Sequence, residues 1–423
     1  MSTMVPNSIN ISTTKDKENS AIDPPLELDA GALFVLKSRG CSDPDGPTEI
    51  KVNRELYVKL KIARSWLHCG YHLTTSIVGP VIFSLPFALA LLGWGPGLVC
   101  ITLAALVTFY SYNLLSLVLE HHAQLGKRQL RFRDMARDIL GPRSGKYFMG
   151  PLQFAICYGA VIGCTLLGGQ SLKTRNSKNS PPKDYYINGC KQNVFFGSIN
   201  AISIISTTYA SGIIPEIHAT IAPPVKGKMF KGLCICYTVI VTTFFNVAIS
   251  GYWAFGNQAK ETILTNFMDD GKPLLPTWFF FFMTNIFILM QLVAITVICL
   301  QPTNELFEKW FADPKMDQFS IRNVIPRLIF RSLSVIIGTM VAAMLPFFRD
   351  IIALFGAFGC IPLDFILPMV FYNVTFKPSK QSQTFWINTL IAAVSSILAA
   401  VGAVASVRQI VVDAKTYSLF ANM

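Results

Sequence analysis

Two hydrophobic stretches of this chain carry the same interruption, and each stretch is long enough to cross a lipid bilayer. The first contains Thr74–Pro80 and the second contains Thr207–Gly212, followed by Pro215; both follow the pattern T-T-x-x-x-G. Glycine and proline release backbone N–H and C=O groups that a continuous helix would pair. Hydrocarbon cannot solvate such groups, so the breaks must line a cavity or be buried in protein. Matched breaks in two halves of a membrane protein indicate the substrate site of a secondary transporter.

The composition of the whole chain is that of a membrane protein. Of the 423 residues, 52% are hydrophobic and 14% are charged, and the mean hydropathy is +0.46. A soluble protein rarely reaches this balance, whereas an all-α polytopic membrane protein does so routinely. Apolar runs of about 20 residues predict nine transmembrane helices: residues 66–92, 95–119, 148–172, 194–222, 229–255, 276–301, 327–348, 351–373 and 386–412.

The net charge of +12 does not indicate nucleic-acid binding, because the basic residues are concentrated in alternate connectors between the predicted helices. Such a pattern marks the cytosolic loops of a membrane protein. It predicts a cytosolic N-terminus, with residues 1–65 as a largely disordered cytosolic segment, residues 66–412 as the transmembrane domain and residues 413–423 as a short tail. One predicted outer connector departs from the pattern, with five basic residues from Lys173 to Lys191.

The breaks also bring hydrogen-bonding groups into the membrane. Unpaired N–H groups at the N-terminus of a half-helix suit the carboxylate of an amino acid. Its ammonium group could donate hydrogen bonds to unwound carbonyls and to the side chains of Thr74, Ser76, Thr207 and Tyr209. The alternative is that glycine and proline only kink the helices and shape their packing.

Two carboxylates within the apolar stretches are candidates for proton coupling, since ionisable residues inside a membrane are rare and usually functional. Glu216 follows the second break, and Asp364 lies between two prolines of the eighth predicted helix. The alternatives are that Glu216 pairs with a basic residue near the cytosolic side and that Asp364 has a structural role. Hydrogen bonds between helices, rather than contacts with a ligand, are the expected role of Asn246, Asn285, Gln291 and Asn388.

The sequence lacks the motifs of ATP-driven pumps and of enzymes. It contains no Walker motif, no G-x-G-x-x-G before a helix, and no His/Cys cluster at metal-binding spacing. We therefore predict that the chain is not an enzyme and needs neither a cofactor nor a bound metal. A receptor or scaffold is disfavoured, because no segment outside the membrane is large enough to bind a macromolecule. The expected partners are a small amino-acid-like solute, protons and the lipid bilayer.

Longer motifs run through the predicted membrane domain: W-L-H-C-G-Y-H-L-T-T-S-I-V from Trp66, S-L-P-F-A from Ser84, G-I-I-P-E-I from Gly212, G-Y-W-A-F-G from Gly251 and P-L-D-F from Pro362. Together they resemble the amino acid/auxin permease family, and most closely its plant GABA-transporter-like branch. The resemblance implies a LeuT-like inverted-repeat fold with two broken helices, and proton-coupled import of amino acids or GABA across the plasma membrane. It also implies that substrate binds at the breaks, through Thr74, Thr75, Ser76, Val78, Gly79, Thr207, Tyr209, Ala210 and Gly212.

The chain departs from the family pattern at two places. The family fold has eleven spans whereas nine are predicted here, and the two missing spans, the family's fourth and fifth, belong between Leu172 and Lys183. The basic outer connector lies at this junction. A polar insertion, residues 41–62, precedes the first predicted helix. The rival hypothesis is therefore a transport-inactive splice isoform, or an incomplete gene model, that acts through association with intact permeases.

Overall fold

The described part of the molecule is helical. The computed structural model describes residues 66–127, 129, 131–172, 184–185, 190–219, 221, 226–263, 266, 278–311, 321–344 and 348–414, and no strand occurs among these residues. The predicted disorder of residues 1–65, the insertion at 41–62 and residues 415–423 of the predicted tail lie outside the described ranges. Residues 413 and 414 still belong to the last helix.

Thirteen α-helices, named α1 to α13 in chain order, are present in these ranges. They are α1 (Trp66–Ile77), α2 (Leu85–Leu92), α3 (Trp94–Gln124), α4 (Phe132–Leu140), α5 (Gly150–Leu172), α6 (Lys191–Tyr209), α7 (Ile214–Ala219), α8 (Lys226–Phe255), α9 (Trp278–Phe311), α10 (Ile321–Met344), α11 (Phe348–Phe355), α12 (Leu367–Phe376) and α13 (Gln383–Ala414). Tighter 3-10 turns occur at Pro80–Ser84 and Gly256–Gln258, and wider π-helical segments at Ser144–Met149 and Gly356–Ile366.

The helices confirm a polytopic membrane protein. In the described ranges, seven helical segments are long and apolar enough to cross a bilayer, and the bent pair α1–α2 makes eight. The span predicted at 276–301 falls in α9, whose described apolar part, Asn285–Leu300, is too short to cross a bilayer alone. The LeuT-like inverted repeat remains a prediction.

The first predicted interruption is a break between two half-helices. α1 ends at Ile77, the backbone of Val78 and Gly79 leaves the helical path, and a 3-10 turn from Pro80 leads into α2. Pro80 has no N–H with which to continue the hydrogen bonding of α1. The two half-helices are inclined by 49°. Gly93 then ends α2 with a φ of 78°, a conformation that favours glycine, and α3 begins at the next residue.

The second predicted interruption is also observed. α6 ends at Tyr209 and α7 begins at Ile214, so residues 210–213 form an irregular turn inside one apolar segment. The eighth predicted helix is irregular as well, because α11 widens at Gly356 into a π-helical segment that contains Pro362 and Asp364. Such π-helical turns are frequent at functional sites.

The core lies between the half-helices and the long helices around them. α8 packs along α1, α2 packs against α6 and α8, and α13 packs against the π-helical segment. Leu73 of α1, Leu89 of α2, Ile204 of α6 and Phe244 of α8 are fully buried in this core. The outward faces of α10 and α13 expose large apolar side chains, as expected for helices in contact with lipid.

Candidate substrate site

The two breaks contact each other directly. The hydroxyl oxygens of Ser76 and Ser211 are 3.0 Å apart and share a hydrogen bond. Ser76 lies in the last turn of α1, where its hydroxyl also donates to the Leu73 carbonyl at 3.0 Å. Ser211 lies in the turn between α6 and α7 and is 2% exposed. Two interruptions that are 135 residues apart in the sequence therefore meet in the fold.

Helix α3 contributes two buried hydroxyl groups beside this contact. The Tyr112 hydroxyl donates to the carbonyl of Tyr209 at 2.8 Å, at the point where α6 ends. The Ser111 hydroxyl donates to the backbone carbonyl of Asp364 in the π-helical segment. Through these two bonds, α3 holds both irregular backbone segments in place.

Asp364 places a carboxylate next to the breaks. Its side chain is 0% exposed and faces the Tyr112 hydroxyl and the backbone N–H of Ser211. Among the described residues, neither carboxylate oxygen has a partner within hydrogen-bonding distance. We call Ser76, Ser111, Tyr112, Ser211 and Asp364 the central polar cluster.

The backbone of the first break is paired more completely than the sequence predicts. The Val78 N–H donates to the Thr74 carbonyl at 2.8 Å. The Gly79 N–H donates to the Ile77 carbonyl at the same distance, 2.8 Å. In this conformation the first break therefore does not offer the Val78 and Gly79 N–H groups to a substrate carboxylate.

The three predicted threonines donate to helix carbonyls rather than to the contact between the breaks. Thr74 and Thr75 donate to carbonyls within α1, at 2.8 and 3.0 Å, and Thr75 is exposed. Thr207 donates within α6 at 2.9 Å and also to the Ile352 carbonyl of α11 at 3.2 Å. The structure does not bring these hydroxyls to Ser76 and Ser211.

The other residues predicted at the second break contribute backbone groups. The ring of Tyr209 packs edge-on against Phe244 of α8, with ring centres 4.9 Å apart, while its carbonyl meets the central polar cluster. The Ala210 N–H donates back into α6 at 3.3 Å. Gly212 lies beside Leu363, whose Cδ2 would be 3.8 Å from a Cβ at this position. At this break these residues contribute main-chain groups, and in this conformation the Tyr209 carbonyl and the Ala210 N–H are already paired within the protein.

Glu216, the other carboxylate predicted for proton coupling, has different neighbours from the central polar cluster. Its Oε1 accepts a hydrogen bond from Gln153 of α5 at 3.4 Å. Its charged neighbours are Arg131 and Asp134 near the start of α4. Its Oε2 is buried and has no hydrogen-bond partner among the described residues. The carboxylate is thus inside the protein, and a basic residue faces it.

Two of the four polar residues predicted to join helices do so, whereas the Asn246 side chain donates within α8, to the Thr242 carbonyl at 2.8 Å. Asn388 of α13 accepts a hydrogen bond from Tyr110 of α3 at 2.8 Å and donates to Asn373 of α12 at 2.9 Å. Gln291 of α9 donates to the Val78 carbonyl at 3.2 Å. The Gln291 bond also pairs a carbonyl that the first break releases, so this residue supports the site as well as the packing.

Ser111, Tyr112 and Ser211 are not among the predicted site residues. Ser211 lies inside the repeated T-T-x-x-x-G pattern, which is the signal that could have identified it. For α3 the available signal is a run of four polar residues, 110–113, within a mostly apolar helix.

Comparison with known proteins identifies the family. The family model described as transmembrane amino acid transporter protein matches residues 63–195 and 180–411. The chain belongs to this amino acid transporter family. It is similar to GABA transporter 1 of Arabidopsis thaliana, with 48% identity over 459 residues that span 94% of this chain and 96% of the relative.

A second relative is more distant. Lysine histidine transporter-like 1 of Arabidopsis thaliana is 26% identical, over 84% of this amino acid transporter family member and 90% of the relative. The higher identity to GABA transporter 1 places the chain in the GABA-transporter-like branch. Because the family and both relatives are named as transporters, the chain is not an enzyme.

The alignment with GABA transporter 1 also leaves some aligned positions without a residue of this family member. It runs over 459 positions, whereas the aligned 94% of the 423 residues amounts to about 398, so about 60 positions hold no residue of this chain. Two helices of about 20 residues with their connectors have this length. The two matches to the family model overlap at residues 180–195, next to the junction where two spans are predicted to be missing.

Proposed function

We propose that this transporter family member imports an amino acid or GABA across the plasma membrane together with protons, with its N-terminus in the cytosol. The central polar cluster carries the proposal, because it joins both breaks around the buried carboxylate of Asp364. The similarity to a protein named GABA transporter 1 supports GABA as the substrate.

Substrate binding requires Ser76 and Ser211 to separate. Once they are apart, both hydroxyls and the carbonyls of the unwound turn become free to bind the carboxylate and the ammonium group of a small zwitterion. Hydrogen bonds to these charged groups are about twice as strong as the neutral bond that they replace. In this proposal the backbone of residues 74–79 and 209–212 surrounds the substrate.

Asp364 accounts for coupling between proton and substrate. The groups that face it among the described residues are the Tyr112 and Tyr237 hydroxyls, the Cys360 thiol and the Ser211 N–H, with no Lys or Arg among them. An ionised carboxylate without a cation costs several kcal/mol in a protein interior, so the neutral acid is the stable form. A neutral acid can donate a hydrogen bond to a substrate carboxylate, whereas an ionised one repels it. Substrate and proton therefore strengthen each other's binding.

Uptake of radiolabelled GABA into cells that express the chain tests this proposal. Asp364→Asn keeps a neutral donor of the same size but cannot release a proton, so we expect GABA binding without accumulation driven by a proton gradient. Asp364→Ala lacks the donor and should lose binding as well. Asp138→Asn, on α4 outside the predicted spans, is the control and should behave as the parent. Proton-driven accumulation by Asp364→Asn equal to that of the parent would contradict the assignment.

Glu216→Gln tests the other coupling candidate. If Glu216 carries a coupling proton, this variant should lose pH-driven uptake while reaching the cell surface in normal amounts. If Glu216 instead forms a structural pair with Arg131, both Glu216→Gln and Arg131→Gln should lower the amount at the surface.

The rival function, a transport-inactive chain that associates with intact permeases, is favoured by one observation. About 60 positions of GABA transporter 1 have no counterpart here. A bundle that lacks two helices exposes surfaces that those helices would cover in an intact relative.

A further inference from the structure

A charged cluster separate from the central polar cluster surrounds Arg349 at the start of α11. Its Nε donates to Asp350 Oδ1 at 2.8 Å, and its Nη2 pairs with Asp413 of α13. Its backbone N–H donates to Glu261, in the loop after α8, at 3.4 Å. The guanidinium also lies over the ring of Phe87 in α2, 5.6 Å from the ring centre. We call Phe87, Glu261, Arg349, Asp350 and Asp413 the Arg349 latch.

The latch joins the outer half of the first broken helix to three other elements. With the N-terminus in the cytosol, α2 runs outward from the first break, α8 and α13 end on the outer side, and α11 begins there. Phe87 lies in the first turn of α2, just beyond the 3-10 turn that follows the break. Arg349 therefore spans the approach from outside to the first break, between α2 on one side and α11 and α13 on the other.

The latch carries more negative than positive charge. Among the described residues, three carboxylates, from the loop after α8, from α11 and from α13, surround the Arg349 guanidinium. Gln409 donates to both carboxylate oxygens of Asp413 at 3.1 Å. Asp350, in contrast, is 1% exposed and its Oδ2 has no hydrogen-bond partner among the described residues. Burial raises the pKa of Glu261, which Arg349 only partly offsets. The closed latch is thus a place where one added proton relieves buried negative charge.

We propose that the Arg349 latch is the outer gate of the substrate path and that its closure takes up a proton. A solute from outside can reach the first break only when α2 parts from α11, which separates Phe87 from Arg349. In the parted state Glu261 and Asp350 are hydrated and their excess charge costs little, so they no longer favour a proton. Acidic pH therefore favours the closed state. The role of the latch as a gate rests on the proposed transport function, whereas opening and closing of the latch can be measured without transport.

A cysteine placed beneath the latch reports its opening. Ser84 is 2% exposed and lies between the first break and Phe87. Cells that express Ser84→Cys are treated from outside with a membrane-impermeant maleimide, and labelled peptides are quantified by mass spectrometry. Native Cys190, which is exposed just before α6, corrects for the pH dependence of thiol reactivity. We expect corrected labelling at Ser84→Cys to slow several-fold when the outside is acidified.

Variants of the latch should change this labelling in different ways. Arg349→Gln in the reporter background should raise the corrected rate about tenfold, equivalent to about 1.4 kcal/mol, and make its pH dependence steeper, because the buried carboxylates lose their cation. Phe87→Leu removes only the contact with the guanidinium and should raise the rate while the pH dependence persists. Since Phe87→Leu leaves all charges in place, it keeps the proposal testable if Arg349→Gln fails to fold.

The matched control is Arg408→Gln. Arg408 of α13 also lies over an aromatic ring, that of Phe196 at 4.6 Å, but its polar partner is the neutral Asn193 at 2.9 Å rather than a carboxylate, and it is not part of the latch. The proposal is overturned if neither latch variant changes the rate, if acidification speeds labelling of the parent, or if Arg408→Gln matches Arg349→Gln. A latch that behaves as expected in a chain without GABA uptake would leave the latch standing and reject the transport function.

Discussion

The hydroxyl of a single residue, Tyr112, links α3 to the second break. It pairs the Tyr209 carbonyl inside the core, so Tyr112→Phe leaves a buried carbonyl without that bond, at a cost of about 1–3 kcal/mol. We expect a lower melting temperature of the purified protein and a loss of the stabilisation that added GABA produces. Tyr110→Phe, which removes a bond to Asn388 away from the breaks, should lower stability but keep the GABA effect. Equal GABA effects in the two variants would contradict the role of Tyr112.

Neighbouring residues at the first break show why the sequence predicts where a site lies better than it predicts which residues form the site. Ser76 faces the second break, whereas Thr75 is exposed, although both fit the same motif. Successive helical residues point about 100° apart, so the rotation of α1 decides which hydroxyl faces inward. That rotation is set by packing against α8, which no pattern within the motif encodes.

At the scale of elements, Gly356 allows the π-helical segment to approach α6 closely. A Cβ at this position would lie 2.2 Å from the Ser203 carbonyl oxygen and 2.5 Å from Thr207 Oγ1. Gly356→Ala overpacks the core and must push the segment away from α6. This lowers the free energy of unfolding by about 1–3 kcal/mol and shifts Asp364 relative to Ser211. We expect lower thermal stability and loss of GABA uptake.

Gly95→Ala is the control for the Gly356 variant. A Cβ at Gly95 meets nothing within 4 Å, so this variant should be stable and take up GABA like the parent. Gly356→Ala with unchanged stability and uptake would show that the close approach of the two elements is not required.

The two breaks and the long helices follow from local chemistry, whereas the π-helical segment does not. Glycine and proline close together in an apolar run favour an interruption of the helix, so the breaks at Val78–Gly79 and residues 210–213 are predictable, although Pro326 lies within α10 without ending it. Pro362 is compatible with a simple kink as well as with a π-helical turn. Contacts with α6 and α13 decide between these outcomes, and they also bury Asp364. The apolar run alone predicts that Asp364 lies in a membrane helix, but it does not predict which groups surround the carboxylate.

At the scale of the whole molecule, α1 carries polar groups on its outward face. His72 and Thr75 are exposed although they lie in a half-helix of a predicted span. Polar groups that face hydrocarbon are unfavourable, so lipid headgroups, water or another helix must meet them. About 60 aligned positions in the comparison with GABA transporter 1 hold no residue of this chain. The exposed polar face of α1 therefore bears on whether the chain transports or associates with intact permeases.

Co-expression with GABA transporter 1 distinguishes the two functions of the whole chain. If the chain transports, it should accumulate GABA when expressed alone, and its uptake should add to that of the relative, because two independent carriers work in parallel. A transport-inactive chain would show no uptake alone, and it would reduce the uptake of the relative in proportion to its own amount, because association draws intact copies into inactive complexes. An unrelated polytopic membrane protein expressed to the same level controls for membrane load, and the Asp364→Ala variant separates transport from association. Suppression by the parent and this variant alike, without uptake by either, would reject the proposed import and support association. An additive increase that Asp364→Ala abolishes would show that this chain transports GABA and that transport requires the carboxylate next to its two breaks.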